Sequence, residues 1–437
     1  MVWHDVYDYG CTGRGITRPG QNARGLTGAI EKLAQVSGPR QQEFAALDRR
    51  LRGEPGAAPL VGNRQFWCSD IMVQRRPGYY TSARMYSTRT LSTDGYINGE
   101  NKKSHHLADG ATYIFRTGEE YRDIFPVWDW KRIPGTTCEH SAAPMDPHKV
   151  QQRGRTRFVG GVSDGMYGAA AMDLERDGLS ARKAWFYFDD EFVCLGAAIT
   201  STTGAPILTS VNQCLLKGPV ITSNGPAPLR DGSAVEEAPG GWVLHDGIGY
   251  LFPGSANGGV IHVQNQVQTG SWAEIGVGSP APVSLPVFSV WIDHGVKPVN
   301  ASYEYIVVPG ATAESLAAGR ADDPVEILSN TTALQAVRQT KLKMVEAVFS
   351  QAGKLSGGAG WNIGVDQPCL LLLRETADGV EISAANPDNQ PLGVNVTVDR
   401  DLTGDGATAP PGGTQIHFEL PAGPEAGQSV TRTLRVR

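Results

Sequence analysis

The hydrophobic pattern changes once along the chain, from a helical period to short runs typical of strands. Residues 25–36 and 40–52 place apolar side chains every three or four positions, which predicts two helices separated by Pro39. From residue 63 onward this period disappears. Runs such as TRFVGGVSDG, KAWFYFDDEFVCLGAAIT and PVFSVWIDHG are instead bounded by Gly, Pro, Asp or Asn. The pattern therefore predicts a helical hairpin followed by a long antiparallel β region.

The predicted fold class is mainly β, with a large antiparallel β-sandwich domain and a smaller C-terminal β domain. Residues 53–59 (GEPGAAP) form the clearest linker, and a second boundary is expected within residues 341–360. We thus predict domains at 1–58, 59–345 and 346–437. Runs such as AWFYF are apolar throughout, which indicates strands that are buried on both faces. The 53 Gly and 28 Pro residues fit a chain with many turns.

Charge is distributed unevenly along the chain. Residues 1–160 contain 23 Lys and Arg against 16 Asp and Glu, whereas the remainder contains 16 against 29. A polyanionic partner is therefore expected to bind residues 1–160. The alternative is that the charge distribution is uneven by chance. The first ten residues, MVWHDVYDYG, lack the basic segment followed by an apolar segment that is typical of a signal peptide. The expectation is either a cytoplasmic protein or the back part of a longer one.

The six cysteines are scattered and show no metal-binding spacing. Core thiols are favoured, with one or two disulfides as the alternative. No apolar run is long enough to predict a membrane helix.

Residues 94–137 combine more polar chemistry with aromatic strand content than most other parts of the sequence. Asn98, Glu100 and Asn101, in NGEN, offer amide and carboxylate groups for sugar hydroxyls, although turn formation explains part of the motif equally well. Trp128 and Trp130 are two apart, so on a strand both face the same side. Stacked tryptophans bind sugar rings, but a sheet core uses the same spacing. We predict these five residues as substrate-binding candidates.

Arg14 and Arg18 are four apart in GRGITR. If the chain turns helically there, both guanidinium groups point the same way and bind a carboxylate or sulfate. They would also lower the pKa of a nearby phenol by stabilising its anion. The alternative is one buried ion pair and one exposed arginine.

Other polar residues are weaker candidates for chemistry. His105 and His106 are adjacent and would face opposite sides of a strand, which makes them poor joint metal ligands. His245 and His294 each neighbour an aspartate, but structural histidines are favoured over general bases there. Residues 399–406 (DRDLTGDG) are acidic enough for a structural Ca²⁺ ion, yet a solvated hairpin loop is favoured because the EF-hand spacing is incomplete. We predict no other metal or cofactor.

Several segments in order resemble the polysaccharide lyases that include hyaluronate, chondroitin AC and xanthan lyases. The resemblance rests on GRGITR, NGENKKSHHLADG, PVWDWKRIPGTT, ARKAWFYFDDEFVCLGAAI, GGWVLHDGIGYLFP and VFSVWIDHGVKPVNASYEYIVVPG. It implies an α/α toroid, a large antiparallel β-sandwich and a smaller β domain. Residues 1–58 would then be the end of the toroid.

The resemblance implies β-elimination at a uronic acid by an extracellular or periplasmic carbon–oxygen lyase. The family uses an Asn to neutralise the substrate carboxylate, a Tyr and a His for proton transfer, and arginines to stabilise the reacting groups. Arg14 and Arg18 resemble the arginine pair, and Asn98 resembles a supporting Asn of the central domain. An acidic polysaccharide, rather than nucleic acid or a membrane, is the expected partner.

Two departures from the family pattern affect this interpretation. The family usually has a Glu three residues before the supporting Asn, where this chain has Gly95 beside Asp94. The family's Asn, His and Tyr lie upstream of the arginine motif, and His4, Tyr7 and Tyr9 are too close to Arg14 to be those residues. The expectation is a lyase-type chain that is incomplete by itself and that an N-terminal toroid segment or chain would complete. A non-catalytic carbohydrate-binding β protein and one half of a split lyase are the alternatives.

Overall fold

The computed structural model describes residues 1–146, 150–225, 228–230, 232–254, 259–318, 324–358 and 361–437, the side chains of 357 and 358 excepted. Strands account for 46% of the described residues and helices for 11%, which confirms the mainly β prediction. Among the described residues, no helix is both long and apolar enough to cross a membrane. All six cysteines are free thiols. Four are buried, as the core-thiol interpretation expected, whereas Cys11 and Cys68 are exposed.

The N-terminal segment contains a small β-hairpin and the predicted helical hairpin. Strands β1 and β2 are Val2–Trp3 and Val6–Tyr7, and helices α1 and α2 are Gly25–Gln35 and Gln41–Leu51. The two helices pack on each other, yet neither contains a buried residue. Their apolar stripe is therefore only partly covered by the described residues.

The central region begins with a four-stranded antiparallel sheet in the order β3–β4–β5–β6. Its strands are Gly62–Phe66, Ile71–Arg76, Tyr79–Arg84 and Ala111–Phe115. The last two strands are buried almost throughout. The connection between them, residues 85–110, carries the NGEN motif, so the site loop is anchored at both ends by core strands.

Two larger antiparallel sheets complete the central sandwich. The strands that follow along the chain are β7 to β19: Thr137–Glu139, Val159–Ser163, Gly168–Arg176, Leu179–Tyr187, Phe192–Ser201, Pro206–Leu215, Val220–Thr222, Ala234–Glu237, Trp242–His245, Ile248–Leu251, Val260–Gly270, Val283–Val296 and Ala301–Pro309. Eight of them pair in the order β13–β15–β16–β19–β11–β10–β9–β8, and five in the order β14–β17–β18–β12–β7. A short helix, α3 (Trp272–Ile275), joins β17 to β18, and α4 (Ala313–Ala317) follows β19.

The C-terminal region is a second, smaller sandwich. Its strands are β20 to β31: Val325–Asn330, Leu334–Gln339, Met344–Phe349, Gly353–Gly358, Trp361–Val365, Cys369–Thr376, Gly379–Ala385, Leu392–Val398, Leu402–Gly404, Ala407–Thr408, Thr414–Leu420 and Val430–Val436. They form one sheet in the order β20–β21–β22–β25–β26–β31–β28 and another in the order β23–β24–β27–β30–β29. Strands β20 to β22 belong to the first of these two sheets, so the C-terminal sandwich begins before residue 345, where the boundary was expected. The predicted domain boundaries stay predictions.

The acidic turn at residues 399–406 is held by protein partners. Asp399 accepts hydrogen bonds from the backbone and side chain of Asn362, and Asp405 pairs with Arg432. Within the described ranges no three His, Cys, Asp or Glu side chains converge as metal ligands. The geometry is that of a hairpin loop fixed by its own polar contacts.

One buried carboxyl group lies where the two sandwiches meet. Glu346 on β22 is fully buried, on the same strand face as Met344 and Val348, which pack against the eight-stranded sheet. Neither of its carboxylate oxygens has a well-formed hydrogen bond to another described residue. Burial, and then the charge of Asp164, raise the pKa of Glu346 well above its usual range, and weak contacts with the backbone of Tyr187 and the charge of Arg76 oppose this only partly. Folding therefore favours the protonated form of this carboxyl group.

Replacing Glu346 with Gln is expected to stabilise the protein at alkaline pH. A carboxyl group whose pKa is raised by folding contributes stability below its unfolded value, which is lost as pH rises towards the folded value. A pKa rise of one unit corresponds to about 1.4 kcal/mol. We expect E346Q to be more stable than the wild type at pH 8 and nearly equal to it at pH 4. Urea unfolding at both pH values measures this difference. Glu326→Gln, at an exposed position on β20, is the control, and an equal gap at both pH values would contradict the prediction.

Candidate functional site

Arg14 lies on a short 3₁₀ helix, Gly13–Thr17, and Arg18 follows directly at its C-terminal end with an extended backbone. Gly13 has φ +53°, and a Cβ atom there would lie 2.2 Å from Oδ1 of Asp94, so this position requires glycine. The same Asp94 oxygen accepts a hydrogen bond of 2.7 Å from the backbone N–H of Arg14. The GRG sequence thus lets the loop approach the carboxylate of a residue that is 80 positions away.

Glu100 brings the two arginines together. Arg18 makes a bidentate contact with it, from Nε to Oε1 at 2.7 Å and from an Nη to Oε2 at 2.9 Å. Nε of Arg14 lies 3.4 Å from Oε2 of the same carboxylate. The Arg18 hydrogen bonds, followed by the charges of Arg18 and Arg14, lower the pKa of Glu100 against its burial. One carboxylate therefore fixes both guanidinium groups in one place.

Both arginine side chains keep surface open to solvent. The side chain of Arg14 is 30% exposed and that of Arg18 is 52% exposed, whereas Glu100 is only 4% exposed. Glu100 is thus covered by the arginines, and its geometry is that of a positioning residue rather than a direct sugar ligand. The outward N–H groups of the two arginines remain oriented towards solvent, where an anion could bind.

Asn98 lies on the same loop and is exposed. Tyr96, Asn98 and Asn101 all have φ values between 55° and 60°, a backbone conformation that residues other than glycine rarely adopt. Backbone strain of this kind persists only where surrounding contacts hold it. Here the contacts come from Asn101, which is fully buried and donates from Nδ2 to Oγ1 of Thr93 at 3.1 Å. Asn101 anchors the loop, and Asn98 presents its amide at the surface.

The position where the family pattern has a Glu cannot accept a side chain in this fold. A Cβ atom on Gly95 would lie 1.9 Å from a methyl group of Val150. The neighbouring Asp94 contacts Arg14 instead, with Oδ2 3.8 Å from Nε. An acidic side chain therefore meets the arginine pair from position 94.

Trp128 and Trp130 are largely buried and do not lie on a strand, which favours the packing alternative over the predicted stacking role. They are 5% and 3% exposed and follow a 3₁₀ turn, Phe125–Val127. Their rings are 5.6 Å apart at 80°, and Trp128 also packs on Phe125 and Tyr113. Their indole N–H groups donate to backbone carbonyls. Both tryptophans also line a surface pocket together with Tyr96, so their substrate-binding role stays a prediction.

The paired histidines belong to a buried polar network behind the site loop. His106 Nδ1 is 2.6 Å from Asp109, and Arg176 contacts the other oxygen of Asp109 at 3.0 Å. Burial lowers the pKa of His106, and Asp109 opposes this only in part. His105 Nε2 lies 2.7 Å from Asp177. This network holds the end of the site loop against β9.

His245 and His294 are structural. His245 is fully buried, stacks on Phe288 at 4.3 Å and accepts a hydrogen bond from the backbone N–H of Lys217. His294 hydrogen-bonds Thr209 at 2.8 Å. Burial lowers the pKa of His245 to about 3 and that of His294 to about 4, so both are neutral at physiological pH. Both histidines are more than 200 residues from Arg14 and Arg18 in sequence, and their described hydrogen bonds are made with other residues.

Few tyrosines of this chain are placed to exchange a proton with a bound ligand. All 13 tyrosines fall in the described ranges, and all are buried except half-buried Tyr7 and Tyr96, which is 43% exposed. Burial raises the pKa of Tyr9, which packs on Phe125 at 4.8 Å. Tyr9 is therefore excluded as a base, in agreement with its sequence position.

Lys102, which the sequence did not single out, ties the site loop to the connection between β17 and β18. Its Nζ donates to the backbone carbonyls of Ala273 at 2.9 Å and Gly276 at 2.8 Å. The sequence around Lys102 could not predict this contact, because the two carbonyl groups lie more than 170 residues away along the chain.

Replacing Lys102 with Met is expected to loosen this contact and to reduce stability by about 3 kcal/mol, because two charge-assisted hydrogen bonds are lost. Thermal unfolding measures the change. The neighbouring Lys103→Met is the control, because the surface pair of Lys103 with Glu274 contributes less than about 1 kcal/mol. Equal destabilisation by both substitutions would contradict the prediction.

Comparison with known proteins places the chain in a class and then in a family. An antiparallel β-sandwich that carries a partly exposed arginine pair beside the exposed amide of Asn98 fits the class of polysaccharide-active proteins. The family model described as "Polysaccharide lyase family 8, super-sandwich domain" matches residues 61–320, and the family's "C-terminal beta-sandwich domain" matches residues 326–394. The chain belongs to polysaccharide lyase family 8.

Three similar proteins illustrate the relationship. The chain is 38% identical to a chondroitinase-AC of Pedobacter heparinus, with 87% of this chain and 54% of the relative covered. It is 36% identical to a xanthan lyase of a Bacillus species, with 82% and 39% covered. A chondroitinase AC lyase solved in enzyme–oligosaccharide complexes superposes with a TM-score of 0.89 at 35% identity, covering 98% of this chain and 63% of that chain. The chain spans about half the length of the curated relatives it matches, or less.

Proposed function

We propose that the protein takes part in the β-eliminative cleavage of an acidic polysaccharide that contains uronic acid, of the hyaluronan, chondroitin or xanthan type. The observation that carries the proposal is the pair of partly exposed guanidinium groups fixed by one buried carboxylate, beside the exposed amide of Asn98. Names of the similar proteins agree with this substrate class.

The reaction requires groups that stabilise negative charge. A base removes the C5 proton beside the uronate carboxylate, the C5–H electrons form the C4=C5 double bond, and the C4–O bond breaks. The leaving oxygen then takes a proton. Arg14 and Arg18 would bind the anionic groups of the reacting sugar and would favour the phenolate form of a tyrosine base. Asn98 would hydrogen-bond the sugar from the same side.

Proton transfer would come from a helical toroid segment that faces the surface formed by Arg14, Arg18 and Asn98. Two observations support this division of roles. The described tyrosines are almost all buried, and the α1–α2 hairpin has an apolar stripe that a packed helix would cover. Glu100, Asn101 and Asp94 would act by positioning the arginines and the loop.

The site of action proposed for this protein is outside the cytoplasm, extracellular or periplasmic, where polysaccharides of this kind are met. The support is the family membership, and localisation of a tagged protein in fractionated cells tests it.

The test measures both binding and product formation by the 437-residue chain on hyaluronan and chondroitin. We expect binding of uronate oligosaccharides with very little unsaturated product, because proton transfer contributes about 10²- to 10⁴-fold to such reactions. Joining an α/α toroid from a family relative ahead of residue 1 is expected to raise product formation. Robust turnover by the 437-residue chain would overturn the division of roles, and absence of saccharide binding would overturn the proposal itself.

The second candidate is a non-catalytic carbohydrate-binding protein, which the scarcity of exposed tyrosines also favours. It predicts binding with no product even in the toroid fusion. The same assay therefore separates the two functions.

A further inference from the structure

A cleft lies directly beside the arginine pair. It has a volume of about 680 Å³ and runs between the backbone of residues 9–13 and the segment 90–94. Gly13 and Asp94 line this cleft and also contact each other at the start of the 3₁₀ helix that carries Arg14. The cleft therefore adjoins the proposed substrate site through these two residues.

Positive charge dominates the lining of this cleft. Three arginines, Arg84, Arg89 and Arg153, line it together with a single carboxylate, that of Asp94, which Arg14 already engages. Arg89 is paired with buried Asp70 at 3.1 Å. Neither Arg84 nor Arg153 has a carboxylate within 4.0 Å in the described part of the chain. We call the surface formed by Arg84, Arg153 and Thr90 to Asp94 the arginine cleft.

The two unpaired guanidinium groups are held in place by backbone carbonyls. Arg84 donates to Ser69 and, at 3.3 Å, to Leu91, and Arg153 donates to Arg89 at 2.7 Å. A carbonyl orients a guanidinium group without neutralising its charge. Burial lowers the pKa of Arg84, and the more distant charges of Asp70 and Asp8 only partly offset this. The cleft thus holds an oriented, poorly compensated positive charge.

An anion would compensate this charge, and the neighbouring site suggests which one. We infer that the arginine cleft binds a second anionic group of the same polysaccharide chain, a sulfate ester or a uronate carboxylate, next to the sugar held by Arg14 and Arg18. This inference rests on the proposed function. Guanidinium groups suit both anions because their N–H groups match paired oxygen acceptors. The cleft would set which acidic polysaccharide the protein prefers.

The experiment titrates the 437-residue protein with two tetrasaccharides, sulfated and unsulfated chondroitin, by calorimetry. Arg84→Gln is expected to weaken binding roughly tenfold, since one charge-assisted contact is lost. Arg153→Gln should weaken it in the same direction, and its exposed position makes misfolding no concern. Arg155→Gln is the control, because Arg155 lies two residues away, is 64% exposed and lies outside the cleft lining.

The two ligands identify the anion. A loss confined to the sulfated tetrasaccharide assigns the cleft to a sulfate ester, and an equal loss with both assigns it to a carboxylate. The inference is overturned if neither Arg84→Gln nor Arg153→Gln weakens binding, or if the wild type binds neither tetrasaccharide.

Comparison with variants of the arginine pair separates this inference from the proposed function. If Arg14→Gln and Arg18→Gln abolish binding while the cleft variants retain it, the inference fails and the proposed function stands. If only the cleft variants weaken binding, the proposed role of Arg14 and Arg18 fails instead.

Discussion

Replacing both Arg14 and Arg18 with Gln is expected to weaken the binding of a uronate tetrasaccharide roughly a hundredfold, because each charge-assisted hydrogen bond contributes about 1.5 kcal/mol or more. The physical reason is that these two guanidinium groups are fixed by Glu100 with their outer N–H groups open to solvent. Calorimetric titration of the variant and the wild type measures the change. Each single substitution should give part of this loss.

The double substitution leaves Glu100 buried without a cation, which would destabilise the loop by itself. Adding Glu100→Gln removes that charge and is expected to restore thermal stability but not binding. Arg24→Gln is the matched control, since Arg24 is 76% exposed and pairs with Asp5 away from the site. Recovery of binding in the triple variant would show that the arginines act on the fold and not on the ligand.

Replacing Asp109 with Ala is expected to reduce the free energy of unfolding by about 3–5 kcal/mol, because it breaks the buried ion pair between Asp109 and Arg176. Asp109 is almost fully buried and contacts Arg176 at 3.0 Å and His106 at 2.6 Å. Although burial opposes it, the charge of Arg176 and the hydrogen bond from His106 hold the pKa of Asp109 well below its usual range. Urea unfolding at pH 7 measures the loss.

The effect should depend on pH with a defined sign. A carboxyl group whose pKa is lowered by folding contributes stability above its unfolded pKa of about 3.9, which is lost as pH falls further. The gap between wild type and Asp109→Ala should therefore narrow below about pH 4. Asp177→Asn is the control, because Asp177 is 41% exposed and its contacts are partly screened. A larger loss from Asp177→Asn than from Asp109→Ala would contradict this account of the network.

The helix and strand pattern was predictable from sequence because it follows from local periodicity. Residues 25–36 and 40–52 repeat at the helical period, and the structure has α-helices Gly25–Gln35 and Gln41–Leu51 there. The AWFYF run was expected to be buried on both faces, and β10 is buried throughout that stretch. The start of the C-terminal sheet at Val325 depends on pairing between β22 and β25, which no local pattern reveals.

The site was harder to predict because its contacts join distant positions. The spacing of Arg14 and Arg18 suggested a shared direction, but their common partner, Glu100, lies more than 80 residues away. Trp128 and Trp130 follow a 3₁₀ turn, so the alternation rule for strands did not apply to them. The predicted roles of Arg14, Arg18 and Asn98 stay predictions until variants are measured.

The most direct test of the central claim is the rate of unsaturated product formation from hyaluronan by the toroid fusion, with and without the Arg14→Gln, Arg18→Gln and Glu100→Gln substitutions. The account predicts product from the unsubstituted fusion and at least a roughly hundredfold lower rate from the variant at equal thermal stability. Equal rates from the two proteins would contradict it.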